Sequence, residues 1–561
     1  MATEKHPASL PGSQDAPPKT EAPPQGVERD SDAYGSDGEH GGGSSITENT
    51  DADQKGGGLV LVITVAALAM GMFLVSLDMT IVATAIPRIT DEFGQIELVG
   101  WYGAAFFTTL GGFQAAWGKA YKYFPLKITF LLSIFLFGVG SLICGVAPNS
   151  LTLIVGRAIT GVGGAGVSCG CFTIIALSAP PKQQPAYIGI LGASYGIAAA
   201  IGPLLGGAFT DKVTWRWCFY INLPIGAVTV AVIAFFYKPP PPLPSLNEPL
   251  REKLLQLDIP GTLLLTAALV CFVLSLQWAG VSRPWSDSTV IGTLVGFGVL
   301  LIAYAVVQWL QGPRAAMVGH LLQRNVVIAM VYIHLIAGSF FLLVYYLPIY
   351  FQVVNGVSAA QSGIRNLPLI LGQSVFATIS GVLLSKFERP QPFLIAGATL
   401  VTISSGLLYT LDVDTEPGKW IGYQLLAGVG VGWCFQVPVV TAQSTVQPEH
   451  VSSVTAMVLT VQTIGGSIFV SAGQSALVNI LFKSLPAGFS DSDAAAVANT
   501  AGEKLRETVS PEHFPAVLRA YMDGIRGALL IAVVASGLAF VASLLLRSTK
   551  LRTGNSAAAA V

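Results

Sequence analysis

The sequence predicts an all-α membrane protein with fourteen transmembrane helices, arranged as two blocks of six with a pair inserted between them. Three observations predict it. Hydrophobic residues make up 52% of the 561-residue chain and charged residues only 11%, where a soluble protein carries about a quarter charged. The apolar residues run in blocks of about twenty, the length that crosses a bilayer hydrocarbon core. Lysine and arginine gather in alternate loops, as they do on the cytoplasmic side of a membrane. Backbone in lipid must satisfy its own hydrogen bonds, so the blocks are helices.

Residues 1–56 are rich in Gly, Ser, Pro, Asp and Glu and show no apolar periodicity. Such a segment cannot bury enough surface to fold, so a disordered cytoplasmic tail is expected. The first apolar run begins only near Leu59, so no cleavable signal peptide is expected. The blocks then place helices at 58–86, 98–118, 127–147, 150–178, 186–210 and 216–237, a first bundle over 57–237. A Pro-rich cytoplasmic linker, 238–258, follows. Two inserted helices occupy 259–279 and 287–311 within 259–311. The second bundle, 312–546, holds helices at 326–351, 361–385, 392–411, 420–446, 451–482 and 527–546, with an extracellular loop at 483–526. Residues 547–561 are a cytoplasmic tail. An even number of spans puts both termini on one side. The loops then assigned to the cytoplasm hold Lys119, Lys122, Lys127, Lys238, Arg251, Lys253 and Arg314 among others, and the opposite short loops hold fewer. Two similar halves are a common transporter plan, with the substrate bound at the midplane between them.

Several function classes drop out. Thirty basic and thirty-one acidic residues leave a formal charge of -1, with no basic stripe for nucleic acid. The six cysteines lie in apolar segments without zinc or redox spacing, so they are expected as packing residues and no metal site is expected. G-x-x-x-x-G-K-[ST] and HExxH are both missing, and no Ser/His/Asp set stands out, so neither an ATP-driven pump nor an enzyme is expected. No cofactor is expected beyond a proton gradient.

Charges inside the blocks carry the chemistry. Asp78 and Arg157 are the informative ones, because a mid-helix charge costs roughly 2.5–3.5 kcal/mol to insert. At 1.5 Å per residue, Asp78 lies roughly 13 Å and Arg157 roughly 9 Å from the outer helix ends, at similar depth. The expectation is a carboxylate and a guanidinium sharing a water-filled cavity. Arginine favours ionised aspartate and desolvation opposes it, so the acid could bind and release a proton. Arg157 sits in GRAITGVGGAG (156–166), a small-residue face that lets another helix approach. GASYGIAAAIGPLLGGAF (192–209) contains Pro203 with Gly202, Gly206 and Gly207, expected as a hinge or seal. GKAYKYFPLK (118–127) offers a gate latch with Gly118, Lys119 and Lys127.

These motifs, with LDMTIVATAIPRI (77–89), WRWCFYINLPIG (215–226) and YYLPIYFQVVNGVSAAQSGIRNLP (345–368), together resemble the major facilitator superfamily. Within it they resemble the fourteen-helix drug:proton antiporters and the fungal toxin and multidrug pumps. The similarity covers roughly 58 to 547. It implies the major facilitator fold and alternating access, with proton entry coupled to drug exit. It maps the family's first-helix acid onto Asp78, its fourth-helix arginine onto Arg157, and its antiporter signature onto Gly202, Pro203, Gly206 and Gly207. One position departs: the family's usual Asp between the second and third helices is Lys122 here, so a lock built on that Asp is not expected.

A cavity for amphipathic compounds needs aromatic faces and uncharged polar groups. Candidates are Phe107, Gln114, Tyr195, Tyr346, Gln436 and Gln462, with His334 as a possible second proton carrier. The expected partners are a small-molecule substrate, protons and the lipid bilayer of the plasma membrane, for a monomer; a vacuolar or vesicle membrane is the alternative. A proton-coupled importer or siderophore carrier on the same fold is the rival function, since fold does not set direction. A non-transporting sensor is the second rival.

Overall fold

A computed structural model describes residues 45–95, 98–241, 244–279, 283–485, 509–547 and 550–551. Most of the N-terminal tail, residues 486–508 of the predicted extracellular loop and the end of the C-terminal tail lie outside these. Met1–Lys55 is a unit of its own, of which the described part is the start of the first helix; all that follows concerns the unit Gly56–Val561.

The first half consists of α1 (Ser45–Phe93), α2 (Val99–Tyr123), α3 (Leu126–Gly145), α4 (Ser150–Ser178), α5 (Gln184–Lys212), α6 (Trp217–Tyr220) and α7 (Asn222–Phe236). A short α8 (Leu250–Leu255) leads to the inserted pair, α9 (Ile259–Trp278) and α10 (Ser288–Gln311). The second half follows: α11 (Arg324–Val353), α12 (Ala359–Arg365), α13 (Leu367–Phe387), α14 (Pro390–Tyr409), α15 (Pro417–Cys434), α16 (Val437–Ser444), α17 (Val451–Ser484) and α18 (Phe514–Leu544). No strand occurs among the described residues; one isolated bridge joins Ala279 and Arg283. Thirteen helical segments are long and apolar enough to cross a membrane. The remaining pass is α2, whose Gly, Thr, Gln and Trp residues dilute its hydropathy. It is packed along α4, α9 and α17, so it needs little apolar surface of its own.

Three predicted spans prove to be divided. The 216–237 span breaks at Ile221 between α6 and α7, the 420–446 span at Phe435–Gln436 between α15 and α16, and α13 is preceded by the separate α12. In each case a proline (Pro224, Pro438, Pro368) stands in the first turn of the following helix, where its missing N–H and its ring break continuity with the preceding turn. Pro203 and Pro348, in contrast, stay inside the continuous α5 and α11. The last span also starts earlier than predicted, at Phe514 instead of 527. Arg519, Asp523 and Arg526 lower the hydropathy of its first turns, but Arg526 is held there by the carbonyl of Leu411 at 2.9 Å.

The two halves meet along α2 with α17 and α5 with α13, and α9 packs on both α2 and α17. At several glycines the missing side chain lets neighbouring helices come close. A Cβ at Gly163 of α4 would fall on the backbone of Phe137 in α3, and one at Gly428 of α15 on the Leu369 carbonyl of α13. The six cysteines are free.

Candidate functional site: a buried charge cluster in the first half

Asp78 belongs to the face of α1 formed by Leu74, Leu77, Ile81 and Ala85, which turns into the first half. Arg157 lies in the second turn of α4, capped by Asn149 accepting from the Thr152 N–H at 2.9 Å. Gly156 next to it brings α4 against Cys144 of α3. The two side chains, placed on separate helices by sequence, meet as an ion pair from Arg157 Nη1 to Asp78 Oδ2. Their exposures are 1% and 0%, which corrects one expectation: the pair is not in a water-filled cavity but sealed among packed helices.

Further groups brace the pair. Arg157 Nε donates to the Tyr102 carbonyl at 2.8 Å. Its guanidinium lies over the Phe106 ring, 4.5 Å from the centroid, and 6.0 Å from that of Phe219, a favourable cation–π arrangement. Asn222 Nδ2 donates to Asp78 Oδ1 at 2.9 Å and to Ser141 Oγ at 3.2 Å. Tyr102 and Ser150 hydroxyls are bonded at 2.8 Å behind the pair. An ion pair taken out of water persists only where such added bonds offset desolvation.

Above the cluster, Glu92 at the end of α1 takes Arg216 at 2.9 Å and the Trp215 indole N–H at 2.6 Å. The Arg216 hydrogen bond, followed by that of Trp215, holds the Glu92 carboxyl below the usual carboxylate range. Thus WRWCFYINLPIG supplies Trp215 and Arg216 to Glu92, Phe219 to Arg157 and Asn222 to Asp78. Sequence reasoning quoted this segment but did not pick out Asn222, Ser141 or Tyr102; an intramembrane Asn two residues before a proline was the available signal.

Gly202 and Gly206 of the α5 signature pack on Thr80, Ile81 and Thr84 of α1, and Pro203 Cβ lies opposite Gly363 of the second half. The segment therefore forms a seam as well as a helix interior. Gly207 has open space beside it. At the opposite end of the first half, Gly118 approaches Ser452 and Ala456 of α17. Lys119 Nζ donates to the Pro313 carbonyl at 3.0 Å and Lys127 Nζ to that of Tyr237 at 3.1 Å. Lys122, the departing position, lies 3.2 Å from His450 Nδ1 of the second half.

The polar candidates separate. Gln114 accepts from Thr463 across the α2–α17 seam at 3.1 Å. Gln436 lies against Gly192 of α5, with its Oε1 unbonded, as is Gln462 Oε1. Gln373, missed in the sequence, joins Gln436 at this seam beside Gly192 and Gly196. Phe107 stacks edge-on with Phe106, and Tyr195 reaches Met79 Sδ at 3.7 Å. Tyr346 lies elsewhere: it is sealed in the second half with its hydroxyl on the Val470 carbonyl at 2.8 Å. His334 is bonded to the Val461 carbonyl at 3.1 Å, also within the second half.

Residues 68–470 match the Major Facilitator Superfamily. The chain belongs to that superfamily. Fungal relatives extend the match: the MFS-type transporter grgE of a Penicillium species is 45% identical over 87% of this chain and 86% of its own length. The probable efflux pump gsfJ of Penicillium aethiopicum is 44% identical over 89% and 90%, and the MFS-type efflux pump of Trichophyton rubrum 39% identical over 89% and 94%. Among solved structures, the proton:xylose symporter XylE superposes with a TM-score of 0.55 at 13% identity over 88% of this chain and 97% of its own. The human organic anion transporter MFSD10 gives 0.54 at 14% over 86% and 99%. At such identity these two speak for the fold. As a facilitator-superfamily member the protein is a multi-pass membrane transporter of small molecules and not an enzyme, and among the described residues no cluster suited to a metal ion occurs.

Proposed function

We propose that the protein is a proton-coupled antiporter that exports small amphipathic organic molecules, a fungal secondary metabolite, toxin or drugs, by alternating access. It acts in the plasma membrane with both termini in the cytoplasm. The observation that carries this proposal is the Asp78–Arg157 pair, buried inside the first half and braced by Asn222. Asp78 is the proton carrier and Arg157 its counter-charge. When Asp78 is neutral, Arg157 retains the Tyr102 carbonyl and two aromatic faces, so protonation does not leave the guanidinium alone. Export is favoured by the relatives named efflux pumps and by the GPLLGG segment at 202–207. One proton crossing 100 mV supplies about 2.3 kcal/mol, enough for a concentration ratio of about fifty-fold at roughly 1.4 kcal/mol per decade.

Proteoliposomes carrying an imposed pH gradient and a panel of amphipathic dyes test the proposal. The unaltered protein should move dye against its gradient, and Asp78→Asn, folded and correctly inserted, should not. Full transport by Asp78→Asn would remove Asp78 from the coupling role.

A further inference from the structure

Asn222 is placed with unusual economy. It is the first residue of α7, directly after the break at Ile221, and is 1% exposed. Its Nδ2 serves two acceptors, Asp78 Oδ1 on α1 and Ser141 Oγ on α3. Its Oδ1 is buried and has no hydrogen-bond partner. A buried carbonyl oxygen left unsatisfied is costly, so an Asn with one unused end calls for an explanation. A purely structural tether between α7 and α3 would not need an amide, because a hydroxyl could bridge to Ser141.

A carboxyl group changes its hydrogen-bond character on protonation: the anion only accepts, the acid also donates. The primary amide matches both forms. We infer that Asn222 is a positioning residue for the proton carrier, donating through Nδ2 to Asp78 when it is ionised and, after a half-turn of the amide, accepting through Oδ1 from Asp78 when it is protonated. This rests on the proton-carrier assignment of Asp78. In the ionised state the partnerless atom is Asn222 Oδ1; in the acid state it becomes Nδ2. One orphan in each state keeps the two states close in energy, as a group that must load and unload requires. The proton itself adds to a carboxylate oxygen and leaves from it; Asn222 gains and loses none. Other groups facing Asp78 are Arg157 on α4, Cys144 on α3 and Cys218 on α6, and among these four only Asn222 offers both a donor and a strong acceptor.

The test needs no knowledge of the cargo. Infrared difference spectra of the purified full-length protein between acid and neutral pH should contain a carboxylic C=O band that Asp78→Asn removes. In Asn222→Leu the carboxylate loses a donor and the acid loses an acceptor. The charged form loses more, because a bond to an ion is the stronger. The midpoint of the band should therefore rise by about one pH unit, and the band should move to higher wavenumber as the acid O–H loses its partner. Asn222→Gln should restore part of both. Should Asn222→Leu not fold, Ser141→Ala leaves Asn222 in place and frees its amide, and it should shift the band frequency alone. A band unmoved in position and midpoint in these variants overturns the role of Asn222 and leaves Asp78 as proton carrier. Absence of any band that Asp78→Asn removes overturns the proton-carrier assignment and this inference with it.

Discussion

The two halves are both all-helical and differ in charge. In the first half the interior holds Asp78, Arg157 and, at the α2 end, Lys119; the inserted pair adds Asp258. In the second half every buried polar side chain among the described residues is uncharged. There Tyr346 rests on the Val470 carbonyl, Tyr332 on the Leu394 carbonyl at 2.8 Å, and Gln424 on the Arg365 carbonyl at 3.1 Å. A neutral hydroxyl or amide on a backbone carbonyl contributes modestly and does not titrate near neutral pH. A buried ion pair is held at high stakes, because removing one partner leaves the other charge uncompensated. The contrast teaches that buried charge is concentrated on one side of the helical frame, while the other side buries only neutral polar groups.

The sharpest way to break this comparison is to strip one charge. Arg157→Ala leaves Asp78 buried without its cation and should destabilise the protein by about 3–5 kcal/mol, seen as early thermal unfolding in detergent together with lost transport. Arg157→Lys should keep part of both, since it lacks the planar fork. Equal stability of Arg157→Ala and the unaltered protein would erase the distinction between the halves.

Packing should not distinguish them. Gly163→Ala in the first half and Gly428→Ala in the second each push a Cβ onto neighbouring backbone, and each should cost about 1–3 kcal/mol in the same unfolding assay. A large cost in one half only would show that the close helix contacts are not shared. In the neutral half, Tyr346→Phe should cost about 1 kcal/mol and leave the pH dependence of dye transport unchanged; an altered profile would place proton chemistry in the second half as well.

The smallest effect belongs to Glu92, half-exposed at the end of α1. Its carboxyl is held below its ordinary value, so its contribution is present above the unfolded carboxylate range and is lost as pH falls through the folded value. Glu92→Gln should lower the melting temperature slightly at pH 7, by under about 1 kcal/mol of stability for an exposed pair, and the gap should close in acid. A gap that widens on acidification would contradict the Arg216 pairing.

Much of this architecture is legible in the sequence. Asp78 and Arg157 stand out because a charge in an apolar block is rare, and their calculated depths agreed because helical rise is constant. Fourteen passes could be counted from block length. The ends were less legible: α18 begins well before its apolar block because Arg526 finds a carbonyl on a distant loop. The breaks in α6–α7 and α15–α16 were marked by Pro224 and Pro438, yet Pro203 and Pro348 gave the same signal inside unbroken helices. Whether a proline breaks a helix depends on which neighbours stabilise its freed carbonyls, and that is not local information.

Hydropathy, the rarity of charge and the order of the motifs were enough to establish a bilayer-spanning helical chain, its two-part plan and which acid and base stand inside it, because burial in lipid penalises every polar group by composition alone. Which groups complete the site was decided by folding. Asn222 reaches Asp78 across 144 residues and Arg157 reaches it across 79; Tyr346 and Gln436 looked alike in sequence and ended in a sealed core and at the seam. A hydrogen bond needs atoms within about 3 Å and in line, and only the packing of α1, α3, α4 and α7 around one another sets distances on that scale.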